Sequence, residues 1–159
     1  MSSSEVDWES MLHLAMTLAC DAGAELRRRF GRQVVVTLKD ELNPVTDADQ
    51  AAETLIRQGI EAHFPTHAIQ GEEQGETRPE GPLRWIVDPL DGTREFSELP
   101  RDDWAVHVAL WEDGELTAGA VAQPALGETF HTGEPPFVPP RTSERPRIAV
   151  SRTRPPAFV

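Results

Sequence analysis

The chain has 159 residues, 38% of them hydrophobic and 26% charged, with 27 acidic side chains against 15 basic ones and a net charge of −12. That composition suits one globular domain with a real core, and its acidity opposes a role in binding nucleic acid, whose phosphate backbone carries the same sign. No run approaches the roughly 20 apolar residues of a membrane span, the N-terminus reads as no signal peptide, and Cys20, the one cysteine, excludes an internal disulfide or a cysteine-rich zinc site and fits a reducing compartment.

In chain order, residues 5–30 read as an amphipathic helix, because Met11, Leu14, Ala15, Leu18, Ala22 and Leu26 recur at helical spacing. Arg27, Arg28 and Arg29 complement the dipole of its last turn, and Gly31 suits its C-terminal cap. Val34–Leu38 is β-branched and reads as a strand, and Asn43-Pro44 breaks the chain. A second helix is expected from after Thr46 to about His63, with Ala51, Leu55, Ile56 and Ile60 on one face and Pro65 ending it. Ala68–Gln70 follows as a short strand, residues 74–83 as a polar loop, and Arg84–Val87 as a buried strand. Trp104–Trp111 and Glu115–Ala122 flank Asp113-Gly114, a hairpin signal, and Glu128–His131 is a further strand. Residues 133–146, with five prolines, read as a linker, and Arg147–Val150 as one more strand. The order helix, strand, helix, then strands with hairpins argues an α+β fold on a mainly antiparallel sheet.

Three segments carry chemistry: Asn43–Glu53, Gly71-Glu72-Glu73, and Trp85–Phe96. In the last, an apolar strand delivers Asp88, and Asp91 follows three residues on. In a tight turn the two carboxylates and the Leu90 carbonyl can converge, with Gly92 allowing an unusual backbone path. Oxygen-only ligands of this kind suit Mg²⁺, Mn²⁺ or Ca²⁺ rather than zinc or copper. Each segment also has a plainer reading. Asp-Pro-Leu-Asp-Gly is rich in turn formers, Gly-Glu-Glu fits a solvated loop, Thr46 with Asp49 fits a helix capping box, and Thr93 fits the N-cap of a short helix. His107, in an alternating strand, reads as a packed sheet histidine rather than a ligand.

The run Trp85–Phe96 resembles the signature of the inositol monophosphatase superfamily, and the two upstream segments match that family's earlier motifs in order. The resemblance implies the N-terminal subdomain of a layered α/β/α/β/α sugar-phosphatase fold, two long helices on the sheet, spanning residues 1–145, with 146–159 opening a second subdomain. It implies that Glu72, Asp88 and the Leu90 carbonyl hold a first metal, that Asp88 and Asp91 hold a second, and that Glu73 supports them. It implies two or three Mg²⁺ ions, with Mn²⁺ as a substitute. Thr93, oriented by Asp49, would aim a metal-activated water, and Gly92, Thr93 and Arg94 would receive the phosphate. A cytoplasmic, lithium-sensitive phosphomonoesterase is implied, with a small phosphorylated substrate, no nucleic-acid polymer, no membrane and a homodimer as an open option.

The pattern departs from the family in one respect. The later Trp-Asp segment that supplies a further carboxylate is missing, so the chain reads as an N-terminal portion, truncated or naturally short, with its turnover in question. Arg94-Glu95-Phe96 and Arg101–Val108 resemble the branch that cleaves 3'-phosphoadenosine 5'-phosphate in sulfate assimilation. Arg94 and Arg101 read either as phosphate contacts or, the commoner case for such residues, as plain surface arginines. An inositol-1-phosphate or sugar phosphatase, and a metal-binding remnant without turnover, are the alternatives.

Overall fold

The computed structural model describes residues 7–31, 36–38, 44–140, 148–150 and 156–157. The first helical periodicity produces α1, Trp8–Arg29, and all six of its expected core residues are buried. Asp7 caps it by accepting the Ser10 amide at 3.1 Å, while Arg29 reaches Asp47 at 3.0 Å. Strand β1, Val36–Leu38, pairs antiparallel with β2, Pro44–Thr46, a strand the sequence did not announce. Val34, Val35 and Asn43 of the expected elements lie outside the described residues.

Helix α2, Asp47–His63, starts where the capping pattern places it. Its buried stripe is the expected one at Ile56 and Ile60 but not elsewhere. Ala51 and Leu55 are half-buried, and the inward face is Ala48, Asp49, Ala52, Glu53, Ile56, Arg57 and Ile60. The helix is rotated toward its own charged residues because each of them finds a partner inside.

The main sheet comprises β3 (Ala68–Gly71), β4 (Gly75–Thr77), β5 (Leu83–Asp91), β6 (Ala105–Glu112), β7 (Glu115–Gln123) and β8 (Glu128–His131), in the order β4-β3-β5-β6-β7-β8. Only β3 and β5 run parallel, so the sheet is mixed but mainly antiparallel. The β6–β7 hairpin turns at Asp113 and Gly114, both at positive φ, as the pair predicts. Strand β4 lies inside the expected 74–83 loop, because pairing with β3 overrides its polar composition. Residues 148–150 carry no strand, and Arg147 lies outside the described residues.

Both helices pack on one face of this sheet, α1 against β6 and β7 and α2 against β5. Alternation along β5 turns Trp85 and Val87 into that layer. A short helix α3, Thr93–Ser97, follows β5. It is fixed by an aromatic cluster in which the Phe96 and Trp104 rings meet edge-on at 5.0 Å, with Phe30 at 5.5 and 5.4 Å from them. Such contacts add about 0.5–1.5 kcal/mol each beyond their buried area. Among the described residues no helix is long and apolar enough to cross a membrane.

Candidate functional site

The parallel pairing of β3 with β5 sets the site. Gly71 stands beside Val87 at the end of their parallel pairing, so the next residues, Glu72 just past β3 and Asp88 within β5, come side by side. The Glu72 amide donates to the Val87 carbonyl at 3.2 Å and fixes this arrangement. Asp88 is half-buried and hydrogen-bonds Glu72, with Asp91 close enough to repel it. Burial pushes its carboxyl above the usual carboxylate range, and the Asp91 charge adds to that.

Asp88 and Asp91 do not lie in a free tight turn, contrary to the sequence reading. Strand β5 continues through both, with a register irregularity between them: Asp88 faces His107 and Asp91 faces Ala105. A bulge of this kind redirects a side chain, and here it brings Asp91 back toward Asp88. His107 is not simply packed in the sheet. Its ring nitrogen Nε2 lies 3.2 Å from Asp91 Oδ2, and this pairing holds the imidazole above its usual range.

Asp49 and Thr93 meet across 44 positions of sequence. Asp49 is 1% exposed. Its Oδ2 accepts the Thr46 amide at 2.7 Å and the Thr46 hydroxyl, completing the capping box, while its Oδ1 accepts the Thr93 hydroxyl at 3.0 Å. The capping and functional readings of Asp49 therefore coexist, one on each oxygen. Burial raises this carboxyl from its ordinary value even though three donors favour its charge. The Thr93 hydroxyl also lies 3.2 Å from the Leu90 carbonyl, tying α3 to the end of β5.

Thr93 is the first residue of α3 rather than its cap. The cap position is Gly92, at φ 92. A Cβ there would also sit 3.1 Å from the Asp103 carbonyl, so both conformation and space require glycine. Arg94 and Arg101 are engaged by carboxylates: Arg94 pairs with Glu98 at 3.2 Å, and Arg101 with Asp103, Glu95 and Glu98. The Glu73 carboxylate accepts from the Gln50 side chain at 3.3 Å. The sequence reading missed Glu53 and Arg57, a buried pair behind the Glu72–Glu73 turn. The successive spacings of four from Asp49 to Glu53 and from Glu53 to Arg57, along one helical stripe, were the available signal.

The donor set fits a hard divalent cation in kind: three carboxylates and a backbone carbonyl, with no sulfur. A cation would relieve the repulsion that Asp88 feels from Asp91. Among the described residues no group of three or more His, Cys, Asp or Glu side chains is arranged as a ready-made metal cage.

Residues 7–144 match the model of the inositol monophosphatase family. The chain is 44% identical over 124 residues to a 3'-phosphoadenosine 5'-phosphate phosphatase of Mycobacterium tuberculosis, covering 70% of this chain and 45% of that protein. It is equally identical over 121 residues to a histidinol-phosphatase of Chlorobaculum parvum, covering 75% and 46%. Among solved structures it resembles the extragenic suppressor protein suhB of Bartonella henselae, with TM-score 0.74, 31% identity, and 77% and 48% of the two chains covered. The chain thus spans about half the length of the curated relatives it matches.

Proposed function

The chain belongs to the inositol monophosphatase family, and on that premise we propose that it carries the metal-holding part of a phosphoric monoester hydrolase that cleaves 3'-phosphoadenosine 5'-phosphate to AMP and phosphate. The observation behind this reading is that Asp88 interacts with both Glu72 and Asp91, while a buried Asp49 holds the Thr93 hydroxyl two residues beyond Asp91.

Glu72, Asp88, Asp91 and the Leu90 carbonyl would hold Mg²⁺, for which Mn²⁺ can substitute. The ions, when bound, neutralise phosphoryl oxygens and lower the pKa of water. Mg²⁺ is commonly held by one or two carboxylates, water and substrate phosphate rather than by an all-protein cage, so an open cluster suits it. The role of the Asp49–Thr93 pair follows from proton accounting. The Thr93 hydroxyl has one proton, shared between Asp49 at 3.0 Å and the Leu90 carbonyl at 3.2 Å, so toward a water it acts as a hydrogen-bond acceptor. As an acceptor it can take a hydrogen bond from an attacking water and thereby aim that water's oxygen at phosphorus. Burial and three donors keep Asp49 fixed while it does this. The Gly92 and Thr93 amides with Arg94 would receive the phosphoryl oxygens, Arg94 turning from Glu98, a surface partner that holds it weakly.

The substrate assignment draws on the mycobacterial relative and on the Arg94–Phe96 pattern. Because the histidinol-phosphatase relative is just as similar, the assay must include histidinol phosphate beside inositol-1-phosphate and 3'-phosphoadenosine 5'-phosphate. Phosphate release with Mg²⁺ should be fastest from 3'-phosphoadenosine 5'-phosphate, and preference for either other substrate refutes that assignment. The alternative reading is a metal-binding remnant without turnover. Calorimetric uptake of Mg²⁺ with no release from any of the three would select it.

A further inference from the structure

We infer that the buried Glu53–Arg57 pair is a positioning device that locks the turn bearing Glu72 and Glu73, so that Glu72 stands beside Asp88; this rests on the reading of these carboxylates as cation ligands. Glu53 is 0% exposed. Its Oε2 accepts the Glu73 amide at 2.7 Å, and its Oε1 accepts the Gln74 amide at 3.0 Å and Arg57 Nε at 2.8 Å. Arg57 then donates to Thr77 Oγ1 at 2.6 Å and to the Gly75 carbonyl. One ion pair on α2 therefore grips both the β3–β4 turn and the strand that leaves it.

Two further observations separate this pair from ordinary core filling. Gly71 immediately precedes Glu72, and a Cβ there would overlap the Glu53 carboxylate and crowd Arg57. The strand has thus given up a side chain at the position where the clamp enters. Burying two charges also carries a desolvation cost that apolar residues of similar volume avoid, so stability of the fold alone does not explain the pair. What only the pair supplies is orientation: its acceptors fix the Glu73 and Gln74 amides, and the Glu72 amide is fixed next to them by Val87. Supporting residues around metal ligands act in this way, and their loss typically weakens metal binding about 10–100-fold.

The test uses the full 159-residue chain, the double variant Glu53→Leu/Arg57→Leu, and Glu53→Gln. Mg²⁺ affinity is measured by calorimetry, thermal midpoint by circular dichroism, and amide exchange at Glu73 and Gln74 by NMR. The double variant should remain folded, exchange those two amides at least about 10-fold faster, and bind Mg²⁺ about 10–100-fold more weakly. If the double variant does not fold, the conservative Glu53→Gln, which keeps the volume but presents an amide donor to one backbone donor, must show the same two losses. A parent chain that takes up no Mg²⁺ refutes the reading of the carboxylate site. A parent that binds Mg²⁺, with folded variants that bind it equally well, refutes the clamp alone.

Discussion

Replacing Thr93 by valine removes one hydroxyl at nearly constant volume. In the parent that hydroxyl donates to Asp49 Oδ1 at 3.0 Å, while Oδ2 is bound by Thr46. With Asp49 1% exposed, solvent does not take the place of the lost donor. Stripping a donor from a buried acceptor costs about 1–3 kcal/mol, with a charged acceptor toward the upper end. Each kcal/mol moves the melting midpoint of a domain of this size by roughly 3–4 °C, so a loss of about 2 kcal/mol lowers it by about 6–8 °C at pH 7. Thr93→Ser retains the donor and should melt within roughly 2 °C of the parent. Burial already holds Asp49 above the ordinary carboxylate range, and the valine variant raises it further. The deficit is therefore complete at neutral pH, where the carboxylate is charged, and shrinks as pH falls and Asp49 takes up its proton. Melting curves at neutral and mildly acidic pH read both effects. A valine variant as stable as the parent at pH 7, or a deficit that does not change with pH, refutes the reasoning.

Three other outcomes are expected. Asp88→Asn removes a half-buried carboxylate that faces Glu72 and Asp91, so the metal-free chain should melt about 2–4 °C higher while losing any stabilisation by Mg²⁺, which paired calorimetric scans with Mg²⁺ and with chelator will show. His67 accepts the Trp85 indole N–H at 3.1 Å and must be neutral to do so, and burial lowers its pKa below the usual 6.5. The native state thus binds fewer protons than the unfolded one, and stability should fall as pH drops through and below 6.5; the slope should be smaller in His67→Gln, measured by urea unfolding across that window. Gly92→Ala meets both a φ of 92 and the Asp103 carbonyl 3.1 Å from the new Cβ, and should cost about 1–3 kcal/mol in the same unfolding assay.

The sequence disclosed elements whose burial follows hydrophobicity. The six apolar positions of α1 and the mainly apolar stretch Arg84–Val87 within β5 are visible because an apolar side chain inside a domain is the ordinary case. It misjudged α2, where Asp49, Glu53 and Arg57 are buried through hydrogen bonds formed with Thr46, Thr93, Glu73, Gln74 and Thr77 from other parts of the chain. A periodicity count assigns such residues to solvent, and so it set Ala51 and Leu55 beside Ile56 and Ile60, of which only the two isoleucines are buried. The carboxylates of the site were legible as motifs, but the way they meet was not. The parallel β3–β5 register that sets Glu72 beside Asp88 and the bulge that returns Asp91 are both properties of strand pairing, not of local composition. The His107–Asp91 contact depends on that same bulge, which is why an alternating strand read as simple packing.

Crystals of the chain grown or soaked in Mn²⁺, with anomalous scattering recorded for that ion, address the cation site directly. We expect a peak in coordination contact with Asp88 and at least one of Glu72 and Asp91, at roughly 2.0–2.3 Å from their oxygens. A map at saturating Mn²⁺ with no peak within reach of Asp88 contradicts the assignment.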